Sequence, residues 1–77
     1  MAVSVPPLLN VALVEDDVAF QNSFAAAVAE TGDMRLVGMA HNVAQARLLL
    51  AGDPLDVLVV DLGLPDGSGI DVIRAAH

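Results

Sequence analysis

The sequence predicts an α/β fold, a sheet of parallel strands flanked by helices. Three observations carry that prediction. The runs Val11 to Val14 and Val57 to Val60 are continuously apolar rather than alternating, as in strands buried on both faces. Stretches rich in alanine and leucine with helical spacing follow or precede them. The connections between these segments are short, and strand-helix units joined so closely lie parallel with crossover helices.

In chain order, residues 1–7 (MAVSVPP) are a lead-in closed by two prolines, which cannot donate to a ladder. Residues 8–14 read as the first strand and end in acids. Residues 18–30 read as a helix with Phe20, Phe24, Ala27 and Val28 on one face, expected to be core, and Gly32 as its stop. Asp17 fits a helix N-terminal acid, favourable to the dipole, and a cap. Residues 35–40 form a second strand, weakened by Gly38. Asn42 with Gln45 three residues on reads as a capping box for a helix that runs to Leu50 or Ala51 and stops at Gly52. Asp53 and Pro54 turn the chain into the Val57 strand. After the breaks at Pro65, Gly67 and Gly69, Ser68 and Asp71 cap a third helix with Ile70, Ile73 and Arg74 along its early face.

Composition narrows the function. Seventy-seven residues allow one domain, residues 8–77, with a small core. No apolar run approaches the roughly 18 residues that span a bilayer, and no basic leader precedes the first strand. A cytoplasmic location with no membrane segment is the expectation. Cysteine is absent, which excludes disulfides and thiolate metal sites. Ten acids face three arginines and no lysine, and the net charge of -7 disfavours nucleic acid or an anionic membrane as a direct partner. It suits a cation.

The candidate site follows from the strand ends. Asp61 closes the Val57 strand, and ligand sites of open α/β sheets lie at the carboxyl ends of strands. If the first and third strands are neighbours, Glu15 and Asp16 join Asp61 in one pocket. Two carboxylates about 4 Å apart repel by roughly 4 kcal/mol at an effective dielectric near 20. A hard divalent cation such as Mg²⁺ relieves that repulsion. The pair Gly67 and Gly69 is no dinucleotide fingerprint, since Val72 stands where a third glycine belongs. His41 and His77 lack partners at ligand spacing and read as surface residues.

The motifs VALVEDD (11–17) and VLVVDLGLPDGSG (57–69) resemble the receiver domain of bacterial two-component response regulators. The shared features are the acidic pair after the first strand, the aspartate ending the third, and Pro65 four residues later. The resemblance implies a flavodoxin-like fold, here its first three units in strand order 2-1-3. It implies that Asp61 is the phosphoacceptor, receiving a phosphoryl group from a sensor histidine kinase. It further implies Mg²⁺ held by Asp16, Asp61 and the Gly63 backbone carbonyl, with Glu15 acting through water. The chain is then a signalling domain rather than an enzyme.

A full receiver has five such units, and the later ones carry a Ser or Thr, an aromatic switch and a lysine. This chain has no lysine, so output switching is expected to be impaired. The sequence stops at His77 inside a helical pattern, which reads as a cut. The third strand then becomes an apolar edge, expected to recruit a second copy and complete the fold as a homodimer. The competing reading is a receiver remnant that acts only as an oligomerisation or interaction module. An aspartate-nucleophile phosphatase is disfavoured, because Gly63 stands two residues after Asp61 where a second aspartate is needed.

Overall fold

The computed structural model describes residues 8–76; the lead-in 1–7 and His77 lie outside the described residues. The order is β1 (Leu9–Val14), α1 (Val18–Thr31), β2 (Met34–Ala40), α2 (Val43–Leu50), β3 (Val57–Val60), β4 (Gly63–Leu64), β5 (Gly67–Ser68) and α3 (Gly69–Ala76). The first three strands form one sheet in the order β2-β1-β3, parallel throughout. The expected α/β class and 2-1-3 order are thus both present.

β1 is the centre of the sheet, and its apolar run explains why. Val11, Ala12, Leu13 and Val14 are each at most 1% exposed, so a strand without a polar face has been given two apolar ones. Val14 joins Ala40, Val43, Ala46, Leu64 and Val72 in the core beneath α2 and α3. By strand alternation Val11 and Leu13 face the other way, toward α1.

The strand register breaks between Val11 and Ala12, where Leu36 pairs with Val11 and Gly38 with Ala12. Val37 is the extra residue of this bulge. The extra residue changes which side of the sheet the following positions face. Gly38 thereby lies under α2, where a β-carbon would collide with the Leu49 side chain. The glycine that looks like a weakness in the sequence is the space into which Leu49 packs.

Helix ends follow the expected chemistry. Asp17 caps α1, its Oδ1 accepting from the amides of Ala19 (2.9 Å) and Phe20 (3.3 Å). Gly32 ends the helix at φ 75°, a left-handed conformation that favours glycine. Asn42 caps α2 by accepting from the Gln45 amide at 2.8 Å, while Gln45 Oε1 reaches one residue further back, to the His41 amide. At α3 the Ser68 Oγ accepts from the Ile70 amide and Asp71 accepts from the Ser68 amide. The amino ends of the sheet are stitched by Asn10: its side-chain oxygen accepts from Arg35, its amide donates to the Asp56 carboxylate, and its carbonyl accepts from the Asp56 amide.

One expectation about helix faces fails. Phe20 is not core: it is 48% exposed and stacks on Phe24, with ring centroids 6.2 Å apart. The fully buried positions of α1 are Gln21 and Val28, with Phe24 and Ala25 half-buried and Ala27 exposed. The buried stripe is rotated because Gln21 enters the interior to make hydrogen bonds that an apolar residue cannot. On α3 the packed positions are Gly69 and Val72, leaving Ile70 and Ile73 exposed. β3 is an edge strand, with Val57 exposed and the next three residues only half-buried.

Candidate functional site

β1 and β3 run side by side, Val14 opposite Val60, so the residues that follow them emerge together. The backbone fixes both exits. The Asp61 amide donates to the Val14 carbonyl at 2.9 Å, and the Glu15 amide donates to the Ala40 carbonyl at 2.9 Å. Glu15, Asp16 and Asp61 consequently form a cluster whose carboxylate oxygens lie within 4.8 Å of one another. Asp16 is exposed, while Glu15 and Asp61 are half-buried.

The electrostatics of the cluster are those of crowded anions. Burial, then the Asp61 side chain and the charges of Asp61 and Asp16, push the Glu15 carboxyl above its ordinary value. Only the Asp17 amide opposes this; it donates to Glu15 Oε1 at 3.3 Å. None of the groups acting on Glu15 is a cation. Three oxygen donors gathered this closely with no compensating positive charge suit a hard divalent ion, and the residues present fit Mg²⁺. Gly63, two residues past Asp61, donates its amide to Asp61 Oδ1 at 3.2 Å and so holds the carboxylate at the strand end.

The segment after Asp61 is more ordered than a chain of breakers suggests. β4 and β5 pair antiparallel, Gly63 with Ser68 and Leu64 with Gly67, around the two-residue turn Pro65 and Asp66. Leu64 plugs the α2-α3 core. Asp66 reaches across to α2, accepting from the amides of Val43 (2.7 Å) and Ala44 (3.1 Å). It acts as a second cap, from outside the helix. The sequence reading missed this role, and its one trace was an acid beside a turn proline.

The Val43 amide, with the Ala44 amide and the Arg47 charge, holds the Asp66 carboxyl below the usual range. A lowered folded value means that this contribution is complete above the unfolded value of about 3.9 and is lost as pH falls through the folded value. Asp66→Ala is therefore expected to unfold at a lower temperature than wild type at neutral pH, with the two curves converging in acid. A gap between the curves that is independent of pH, in melts followed by circular dichroism, would refute the charged cap.

A parallel sheet that delivers an acidic pair and a lone aspartate to one end is the arrangement that the resemblance to receiver domains implies. Comparison with known proteins agrees. No family model matches the sequence. The chain is similar to the response regulator protein PilR of Pseudomonas aeruginosa, 51% identical over 35 residues, which is 46% of this chain and 8% of that protein. It is also similar to the KDP operon transcriptional regulatory protein KdpE of Escherichia coli, 37% identical over 67 residues, covering 87% of this chain and 29% of that protein. Among solved structures, a LuxR-family two-component response regulator from Aurantimonas superposes with TM-score 0.82 at 23% identity, over 90% of this chain and 49% of that one. The MaeR response regulator bound to beryllium trifluoride superposes with TM-score 0.80 at 28% identity, over 87% and 55%. The chain spans less than a third of these curated relatives and about half of these structures. In fold it matches the receiver part of response regulators over three strand-helix units, and the curated proteins it resembles are response regulators.

Proposed function

We propose that the chain is the phosphoacceptor part of a two-component receiver, with Asp61 as the residue that takes the phosphoryl group. The observation that carries this reading is the convergence of Glu15, Asp16 and Asp61 within 4.8 Å at the carboxyl end of a parallel sheet. An Asp61 carboxylate oxygen attacks the phosphorus of a phosphohistidine on a sensor kinase. The P–N bond breaks, the imidazole leaves with the electron pair, and an acyl phosphate remains. Asp16, Asp61 and the Gly63 carbonyl would hold Mg²⁺, with Glu15 reaching it through water. When bound, the ion would supply positive charge against the anionic phosphoryl oxygens. The Gly63 amide orients the nucleophile, and the Asp17 amide steadies the Glu15 carboxylate. No helix among the described residues is long and apolar enough to cross a membrane, and the proposed setting is the cytoplasm, beside the kinase.

The test is incubation with Mg²⁺ and a small-molecule phosphodonor, read by intact mass. Wild type is expected to gain one phosphate and Asp61→Asn none. Absence of the gain in both overturns the reading.

A second reading is supported by the open side of β3. Among the described residues nothing pairs with its outer edge, and Val57 on it is exposed, as are Ile70 and Ile73 of α3. An unpaired apolar edge is a template for another strand. In this reading the chain is an oligomerisation or interaction module and two copies associate along β3. Sedimentation that shows a monomer at all concentrations excludes it.

A further inference from the structure

Gln21 is the one buried polar side chain among the described residues, 5% exposed in the first turns of α1. Its Nε2 donates to the Glu15 backbone carbonyl at 2.6 Å and lies 3.2 Å from His41 Nδ1. A carbonyl only accepts, so the amide nitrogen must be the end that faces it. The second hydrogen of the same Nε2 is left for His41 Nδ1.

The consequence for the acidic cluster is geometric. The Glu15 amide is already bonded to the Ala40 carbonyl at 2.9 Å, so Gln21 fixes the other side of the same residue. Asp17 is held in turn by its cap and by the Gln21 amide, which donates to the Asp17 carbonyl at 3.0 Å. Asp16 follows directly on the residue that the Gln21 side chain anchors, and Asp17 is fixed by the helix backbone itself. His41 is tied by its own amide to Gln45 in α2, so the clamp joins the loops above both faces of the sheet.

We infer that Gln21 is a positioning residue for the acidic site, clamping the Glu15 carbonyl so that the carboxylates of Glu15 and Asp16 stay aimed at Asp61. The inference rests on the cation-binding reading of that cluster. It also accounts for a buried amide on a helix face where an aliphatic residue is the simpler filling. An unpaired donor in that position costs free energy, and here both amide hydrogens have acceptors.

The experiment compares Mn²⁺ affinity, followed by electron paramagnetic resonance of the free ion, in wild type, Gln21→Met and Gln21→Arg, each first shown by its melt to be folded. Methionine keeps the length and removes the donors, whereas arginine keeps donors. Gln21→Met is expected to bind Mn²⁺ about tenfold more weakly, the usual order for losing an outer partner of a ligand. Gln21→Arg is expected to recover most of the loss. Wild-type affinity in folded Gln21→Met overturns the inference. If Gln21→Met does not fold, Gln21→Asn, one methylene short of the carbonyl, gives the same comparison.

If wild type itself binds no Mn²⁺, the cation reading fails, and the clamp is read in metal-free protein instead. The Glu15 carbonyl carbon resonance then shifts and the Asp16 and Asp17 amides exchange faster in Gln21→Met if the clamp exists. Both are unchanged if it does not.

Discussion

Asp61→Asn protein without metal is expected to melt above wild type, and Mg²⁺ is expected to raise the melting temperature of wild type only. The reason is the charge left uncompensated at the end of β1 and β3. Glu15 is pushed above its ordinary value by burial first and then by Asp61 and Asp16. A raised folded value places the favourable contribution below the unfolded value, about 4.3, and removes it as pH climbs through the folded one. At neutral pH the metal-free fold therefore carries the Glu15 carboxylate against its preference, crowded by Asp61 and Asp16.

The size follows from the same physics. A pair of charges 4 Å apart opposes folding by about 4 kcal/mol at a dielectric near 20, and solvent reaching exposed Asp16 and half-buried Asp61 reduces this to about 1 kcal/mol. In a domain of this size each 1 kcal/mol moves the melting temperature by roughly 4–8 °C. Mg²⁺ at a hundred times its dissociation constant adds about 2.7 kcal/mol to wild type. Thermal unfolding with and without Mg²⁺ measures both. An Asp61→Asn variant less stable than wild type in the absence of metal would mean that the carboxylates do not repel, and the cluster would lose its claim to a cation.

What the sequence made legible divides by range of interaction. Val11 to Val14 announced a strand buried on both sides, and Asp17, Gly32, Asn42 and Ser68 announced helix ends, because each works through neighbours a few residues away. The acidic cluster was legible for a related reason: strands of this kind end at one rim, so their terminal acids must meet. Phe20 misled because periodicity counts apolar residues and assigns no value to the two hydrogen bonds that draw Gln21 inside. The β4-β5 hairpin was invisible, since two-residue strands have no period to detect. Asp66 was invisible for the opposite reason. Its partners, Val43 and Ala44, are 23 and 22 residues away, and nothing local distinguishes a capping acid from a solvated one.

Gly69 shows the same limit at the site itself, and its replacement is expected to be the most damaging single change outside the carboxylates. In the sequence it is one breaker among several. In the fold it is buried at the start of α3, its amide donating to the Leu62 carbonyl at 3.0 Å, and this bond closes the loop that leaves Asp61. A β-carbon there would run into the Asp61 carbonyl oxygen and stand 2.9 Å from both the Asp61 carbonyl carbon and Leu62 Cα. These are backbone atoms of Asp61 and its neighbour, with no flexible side-chain end to swing aside. Gly69→Ala must therefore either part α3 from the loop or push Asp61 off the line of Glu15 and Asp16. Overpacking of this kind costs about 1–3 kcal/mol, a large share for a domain with so small a core. Gly63→Ala is the matched control, because a β-carbon at Gly63 meets nothing within 4 Å. Urea unfolding is expected to show Gly69→Ala destabilised and Gly63→Ala close to wild type, and the Mg²⁺-dependent rise in melting temperature is expected to shrink in the first and persist in the second. Equal stability of the two variants would mean that the Asp61 loop does not close on α3 as the backbone places it.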